Sequence, residues 1–310
     1  MQVLIQVTVP VFLLIGAGYF AVWLRVLTDE NIHGLMRFAQ RIAIPCLLFR
    51  AISQLDFQAN FDPLFILSFY VGSIFAFVLG MTGARYVFKR SIEDSIAIGF
   101  TALFGNTVLI GLAIVDRAYG AASLDSTFLV VAFHAPFCYL IGITAMEIAR
   151  NGHTFAWQTV GAVINGMFHN AIMLGIAAGF IFNILDIQLP VLVGDAFDAV
   201  KLTALPAALF GLGGILVRYR PEGDLKVIAM ICVLALLVHP SVTWLLAKGA
   251  FDLDQALVRS SVITAAMAPG INAYIFASMY ERAMRVAASS VLVGTAMSIL
   301  TVSAWLLIVD

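Results

Sequence analysis

The stretch IPCLLF at residues 44–49 recurs as LPAALF at residues 205–210, which is 161 residues further along a chain of 310. At the same offset, IGAGYF (15–20) aligns with IAAGFI (176–181). Either match alone is weak, because six-residue matches are common in apolar sequence. Two matches that share one offset close to half the chain length predict an internal duplication.

The composition predicts a protein that folds in a lipid bilayer. Hydrophobic residues make up 62% of the chain and charged residues only 11%, whereas soluble domains carry about 25% charged residues. The formal net charge of −1 offers no basic field for nucleic acid. The three cysteines lie in apolar runs with no metal-ligand spacing, so we interpret them as packing residues.

Ten segments are long and apolar enough to cross a bilayer, which takes about 20 residues. The predicted fold class is therefore an all-α integral membrane protein with ten transmembrane helices. The predicted spans are 3–24, 33–52, 63–88, 94–115, 126–149, 158–184, 195–217, 225–247, 257–280 and 285–308.

The charges between the spans predict the orientation. Odd-numbered connections carry basic residues such as Arg85, Lys89 and Arg90, and even-numbered ones carry acidic residues such as Asp195 and Asp198. Basic connections favour the cytoplasmic side. We therefore expect a multi-pass inner-membrane protein with both termini outside the cytoplasm.

The duplication divides the ten spans into two five-span repeats, residues 1–150 and 157–310. Five is an odd number, so two such repeats in series have opposite orientations in the membrane. Inverted repeats are typical of secondary transporters, whose sites lie near the bilayer midplane where helices break.

The fourth span, GFTALFGNTVLIGLAIV (99–115), contains a predicted break. Gly105 weakens the helix, and Asn106 and Thr107 bring polar side chains to mid-membrane. A break in a span survives only where protein or a water-filled cavity satisfies its backbone groups. The break is therefore a candidate site.

The ninth span, VITAAMAPGINAYIFASMY (262–280), contains the matching break. Pro269 removes a backbone donor, Gly270 loosens the chain, and Ile271 and Asn272 follow. Two helices that restart near the midplane direct free N–H groups at a ligand, which favours an anion. The alternative is that the asparagines only bind neighbouring helices together.

Milder candidates lie in the second and seventh spans. Pro45 and Pro206 predict helix breaks or kinks that either shape a cavity wall or are plain architecture. Arg50 either guides an anion inward or extends to the interface, and Ser53 lies beside it.

Three histidines lie in apolar stretches, and His134 is the most deeply placed. A titratable group at that depth predicts a proton-linked role, with plain packing as the alternative. We interpret His169 and His239 as structural. The sequence contains no phosphate-binding loop, HExxH motif or nucleophile motif, so we expect neither an enzyme nor a cofactor.

The order of these motifs resembles the auxin efflux carrier family, which includes plant auxin exporters and bacterial malonate or other organic-acid permeases. The resemblance covers essentially the whole chain. It rests on IPCLLFRAIS (44–53), FGNTVLIGLAI (104–114), FHNAIMLGIAAGFIFNILDIQLP (168–190), LPAALFGLGGIL (205–216), MAPGINAYIFASMY (267–280) and VLVGTAMSILTVSAWLL (291–307).

The resemblance implies a crossover of the fourth and ninth spans that holds a substrate carboxylate. It implies a scaffold from spans 1, 2, 6 and 7, which forms a homodimer, and a transport domain from spans 3–5 and 8–10. The residues that match the binding positions are Gly105, Asn106, Thr107, Pro269, Gly270, Ile271 and Asn272, with Ser53 on the outer side.

One family motif is incomplete. Where the fourth span often reads GNTGxxGxP, this chain has Val108 for the glycine and Ala113 for the proline. The break is therefore expected to rest on Gly105 and Asn106 alone.

The sequence thus predicts a secondary active transporter of small organic anions, such as malonate or auxin-like acids, that works by alternating access. The alternatives are a Na⁺- or H⁺-coupled antiporter or symporter of another substrate, and a membrane sensor. Apart from a coupling ion and the bilayer, the expected partners are the anion and a second copy of the chain.

Overall fold

The computed structural model describes residues 2–56, 61–150, 170–219 and 222–310, which fold into helices with no β-strand among them. The start of the predicted sixth span and His169 lie outside these residues. The helices are α1 Gln2–Trp23, α2 Asp29–Phe38, α3 Ile44–Ser53, α4 Pro63–Thr82, α5 Ile92–Leu103, α6 Leu112–Tyr119, α7 Leu124–Arg150, α8 Ala171–Ile184, α9 Val191–Leu216, α10 Leu225–Val233, α11 His239–Trp244, α12 Gln255–Ala265, α13 Ile271–Met279 and α14 Met284–Val309.

Wider π-helical turns continue or join several of these helices, and a 3₁₀ turn, Ala121–Ser123, precedes α7. The π-helical turns are Ala39–Ala43, Gly83–Val87, Thr107–Gly111, Leu234–Val238 and Leu245–Ala250.

Six helical stretches among the described residues are long and apolar enough to cross a membrane. Their length and composition are those of a multi-pass membrane protein. These stretches expose large apolar side chains, such as Leu192 at 84% and Leu300 at 76% exposure, as expected for a surface that faces lipid. The six stretches are Gln6–Trp23, Pro63–Val87, Leu124–Arg150, Val191–Leu216, Leu225–Ala250 and Met284–Val309.

The other four predicted spans consist of shorter segments. The second runs through α2, a π-helical turn and α3, and the sixth is described only over α8. The fourth and ninth are each interrupted, between α5 and α6 and between α12 and α13.

The described helices belong to two compact units. The larger unit contains α4–α7 and α10–α14, together with the start of α1 up to Val9. The smaller unit contains α1 from Pro10 onward, with α2, α3, α8 and α9.

Local sequence sets where several helices begin. The Asp62 carboxylate accepts hydrogen bonds from the N–H groups of Leu64 and Phe65, at 2.7 and 3.2 Å, and so caps α4. Thr28 and Asn31 form a reciprocal capping box at the start of α2. Side-chain caps also begin α5, α8 and α10.

Glycines in the smaller unit allow two close helix contacts. A Cβ atom at Gly18 of α1 would overlap the backbone carbonyl of Phe210 in α9. A Cβ atom at Gly179 of α8 would lie 3.0 Å from the carbonyl oxygen of Phe49 in α3. Small residues at such positions let two backbones approach closely in a membrane.

At Pro45 and Pro206, where the sequence predicts helix breaks or kinks, the structure shows no interruption of the helix. Pro206 lies inside the continuous helix α9, and Pro45 is the second residue of α3, directly after a π-helical turn. A single missing N–H is tolerated in a membrane helix when neighbouring groups and local π-helical turns adjust.

Candidate functional site

The predicted break in the fourth span is present in the larger unit. Helix α5 ends at Leu103, and helical geometry resumes only at Thr107. Phe104 and Asn106 have ψ angles of 88° and 58°, which lie outside the helical range. The break therefore forms although the chain has no proline at residue 113.

The ninth span breaks in the same unit. Helix α12 ends at Ala265, and α13 begins at Ile271, so Pro269 and Gly270 belong to a non-helical linker. Gly270 has an extended backbone, with φ −83° and ψ 163°.

The two breaks pair with each other through their backbones. Gly105 and Pro269 face one another in an isolated antiparallel bridge. The Asn106 N–H donates to the Ala268 carbonyl at 2.8 Å, and the Gly270 N–H donates to the Phe104 carbonyl at 2.8 Å. The bridge thus satisfies polar groups that a broken membrane helix would otherwise leave unpaired.

Pro269 is compatible with this bridge because of its register. In a non-hydrogen-bonded pair of an antiparallel ladder, the two facing residues make no hydrogen bond to each other. The residues before and after them form the interstrand hydrogen bonds. Gly105 and Pro269 form such a pair, so the missing N–H of Pro269 leaves no bond unmade. Gly294 of α14 makes room for the linker, since a Cβ there would lie 2.8 Å from Pro269 Cδ.

The remote ends of the broken helices also meet in pairs. Near the start of α5, Glu93 forms an ion pair with Arg282, which follows α13. At the end of α6, the Tyr119 ring lies 5.3 Å from the guanidinium of Arg259 in α12. Helix α5 therefore lies beside α13 and α6 beside α12, so the two broken helices run in opposite directions through the bridge.

The helices that restart after the bridge have no side-chain cap. The Asn106 carbonyl accepts the N–H groups of Ile110 and Gly111, at 3.2 and 3.1 Å, and so begins the π-helical turn. The Gly270 carbonyl accepts the Ala273 N–H at 3.0 Å. Uncapped N–H groups and the positive ends of two helix dipoles thus lie next to the bridge, which favours a bound anion.

Asn106 adds a side-chain donor to these backbone groups. The residue is 6% exposed, and its Nδ2 atom finds no hydrogen-bond partner among the described residues. Leaving a buried amide donor unpaired costs about 1–3 kcal/mol, which a ligand acceptor at this position would offset. The arrangement can therefore accept a small group with several acceptor oxygens.

The structure brings most of the predicted site residues together at the bridge. Thr107 is buried at the first helical position after the break. Ile271 and Asn272 are the first two residues of α13 and are half-buried. The bridge pairs Gly105 with Pro269, so the residues that follow them, Asn106 and Gly270, occupy equivalent positions. Asn106 and Asn272 are therefore not symmetric partners.

Arg50 and Ser53 belong to the smaller unit and contact other groups within it. The Arg50 guanidinium donates to both carboxylate oxygens of Asp198, at 3.0 and 2.8 Å, and its side chain is 13% exposed. The Ser53 hydroxyl donates to the Arg50 carbonyl at 3.1 Å. The charge of Arg50 is thus neutralised by a partner that the sequence analysis did not foresee.

His134 of α7 lies against the break in the larger unit. It is 2% exposed, and its ring centre lies 4.8 Å from that of Phe104, the residue before Gly105. The sequence showed its depth in the membrane but not this contact.

Three contributors to the bridge were not predicted. The carbonyl groups of Phe104 and Ala268 accept the bridging hydrogen bonds, and no side-chain pattern signals a backbone acceptor. Gly294 could have been found, because a small residue inside an apolar span often marks a close helix contact.

Comparison with known proteins connects this geometry to a family. The family model described as "Membrane transport protein" matches residues 3–306. A mouse protein named "Lysosomal cholesterol signaling protein" is 28% identical, and the match covers 96% of this chain but 36% of the mouse protein. The chain thus spans little more than a third of that relative.

Two further relatives bear the names of carriers. A Rhizobium meliloti protein named "Putative malonate transporter" is 23% identical over 97% of this chain and 94% of its own length. "Auxin efflux carrier component 6" of Arabidopsis thaliana is 29% identical over 36% of this chain and 20% of its own length. The family match over residues 3–306 confirms the resemblance seen in the motifs: the chain belongs to the membrane transport protein family that includes the auxin efflux carriers, a family of transporters rather than enzymes.

Proposed function

We propose that the protein is a secondary active transporter of small organic anions, with the substrate carboxylate bound at the bridged breaks. The observation that carries this proposal is the pair of uncapped helix starts beside the unpartnered Asn106 amide. A carboxylate offers several acceptor oxygens and a negative charge, which match free N–H groups and dipole ends. The names of the Rhizobium and Arabidopsis relatives favour carboxylates too.

The proposed binding residues are those around the bridge. Asn106 donates its side-chain amide, and the backbone N–H groups that begin at Thr107 and Ile271 receive the carboxylate oxygens. Gly105, Pro269 and Gly270 hold the backbone in the bridge, and Asn272 lies one residue into α13. Polar but uncharged groups suit this task, because a fixed charge is costly inside a membrane.

Arg50 and Ser53 remain part of the proposal with a more limited role. Arg50 would guide an anion inward only if its pair with Asp198 opens. Ser53 would contribute a hydroxyl on the outer side, as the family resemblance implies.

The proposed architecture is ten spans in two inverted five-span repeats. The contacts Gly18–Phe210 and Gly179–Phe49 support it. Residues 18 and 179 differ by 161, and so do residues 49 and 210, so the two contacts join equivalent positions of the repeats. The larger unit would be the transport domain and the smaller unit the scaffold, through which two copies form a homodimer. The basic connections would face the cytoplasm and both termini the outside of the inner membrane.

Alternating access would follow from the bridge and the two repeats. The bridge keeps the broken helices together while the site opens to one side and then to the other. Proton and Na⁺ remain alternative coupling ions for this cycle. A sensor that binds without transport is the second candidate, and the name of the mouse relative favours it.

Uptake of labelled malonate, succinate, pyruvate and indole-3-acetate into proteoliposomes tests the proposal. We expect the wild type to take up one or more of these anions and Asn106→Ala to lose the uptake while keeping its fold. Gln188→Ala removes an exposed amide and serves as the matched control. Binding of an anion without any uptake would favour the sensor, and uptake that survives Asn106→Ala would remove the site assignment.

A further inference from the structure

Two buried histidines pack against the same aromatic ring in the larger unit. His134 of α7 and His239 of α11 are each 2% exposed, and their ring centres lie 5.6 and 5.0 Å from that of Phe69. His239 Nε2 donates to the Phe69 carbonyl at 3.2 Å. Packing alone does not require an ionisable ring at these positions, and such groups inside membranes are usually functional.

His134 connects this pair to the bridged breaks. Its ring centre lies 4.8 Å from that of Phe104, whose carbonyl accepts the Gly270 N–H in the bridge. Its Nδ1 atom lies 3.7 Å from the Cys138 thiol, a weak hydrogen-bonding group. A proton gained or lost by His134 therefore acts next to the proposed carboxylate site.

No fixed charge competes with this pair in the described part of the chain. The titratable groups that face it are Tyr70 from α4, stacked at 6.4 Å on His134, and Cys138 and Tyr139 from α7 itself. The rings of Phe69 and Phe104 also pack on His134, and neither ring carries a charge. The net charge of the cluster is therefore set by its own protons and by the ligand.

A charge buried alone at this depth is expensive, whether it is a carboxylate or an imidazolium. Bound together, the two charges offset much of each other's cost, so each favours the binding of the other. A second proton would bury a second positive charge in the same apolar cluster and add its own cost, so we expect the pair to hold one proton.

We propose that His134, with His239 as its buried neighbour, binds the proton that crosses the membrane together with the substrate carboxylate. The inference rests on the proposed function and names its coupling ion. The proton is taken from water on one side as the anion binds, is held on a ring nitrogen, and returns to water on the other side as the anion leaves. A monocarboxylate would then cross with no net charge.

The test uses proteoliposomes, the same panel of four labelled anions and two assays. Counterflow, in which unlabelled anion inside exchanges for labelled anion outside, needs no net proton movement and reports the proposed function alone. Net uptake with and without an inward proton gradient reports the coupling. A tenfold proton gradient can drive about tenfold accumulation of an anion coupled to one proton.

We expect the gradient to raise net uptake by the wild type several-fold, and to leave the uptake ratio near one in His134→Gln. His33→Gln, which changes an exposed histidine of α2, should keep the wild-type ratio. If His134→Gln does not fold, proton uptake from a weakly buffered solution, measured as the anion is added to purified wild-type protein, decides instead. About one proton per chain supports the proposal.

Two kinds of failure are distinguishable. Counterflow without any effect of the proton gradient, an unchanged ratio in the folded His134→Gln variant, or anion binding with no proton uptake would overturn this inference and leave the transporter intact. Absence of counterflow with all four anions would contradict the proposed function, and the inference with it.

Discussion

Gly18 packs on Phe210 so closely that a side chain at residue 18 would overlap the Phe210 carbonyl. The second close contact, Gly179 with Phe49, joins a different pair of helices. Adding 161 to the numbers of residues 18 and 49 gives 179 and 210, the offset at which the sequence repeats. The contact therefore occurs twice with the halves exchanged, as expected if both halves descend from one ancestral segment.

This relationship predicts a matched pair of destabilised variants. Gly18→Leu and Gly179→Leu should each lower the free energy of unfolding in detergent by 1–3 kcal/mol or more, on the order found for overpacked contacts. Gly16→Leu is the control, because a Cβ at Gly16 meets nothing within 4 Å. Thermal unfolding of the three purified variants checks this. Equal stability of Gly18→Leu and Gly16→Leu would show that the helices can separate at little cost.

Asn106 should be more important for transport than for stability. Asn106→Ala removes a buried donor that has no partner among the described residues, so the free energy of unfolding should change little or rise. Transport should nevertheless be lost, because the carboxylate loses that donor. Asn106→Asp should also lose transport, since its charge repels an anion. A large loss of stability in Asn106→Ala would instead mean that the amide is a structural link.

The bridge register predicts opposite outcomes at neighbouring positions. Pro269→Ala should cost about 1 kcal/mol or less and keep transport, because the bridge bonds come from Asn106 and Gly270. Gly270→Val should reduce stability and transport, since a Cβ there already lies 3.4 Å from Asn106 Cα. Initial uptake rates and melting temperatures of both variants test this. Loss of transport in Pro269→Ala equal to that in Gly270→Val would show that the proline ring itself maintains the break.

The ion pair between Arg50 and Asp198 predicts a double-variant result. Asp198→Asn leaves the Arg50 guanidinium without its two-pronged acceptor and should destabilise the protein more than the double variant Arg50→Gln, Asp198→Asn. If Arg50 also guides the anion inward, the double variant should show a raised KM for malonate. An unchanged KM for malonate would assign Arg50 a structural role only.

Much of the site could be located from local chemistry. Gly105 and Pro269 were predicted as breaks because a glycine and a proline weaken a helix wherever they lie. At Pro206 the helix α9 continues, so of the predicted break or kink only a kink remains. A proline breaks a membrane helix only when the surroundings supply other partners for the freed groups, and the residues around Pro206 leave the helix intact.

The sequence by itself determined that this is a multi-pass membrane protein and where two of its helices break, and it predicts an internal duplication. These properties depend on composition, spacing and backbone chemistry within a few residues. Only the tertiary structure decided that the two breaks bond to each other, that Arg50 is neutralised by Asp198 and that His134 packs against Phe104 in the first break. Each of those contacts joins residues far apart in the chain, so it exists only once the helices have packed.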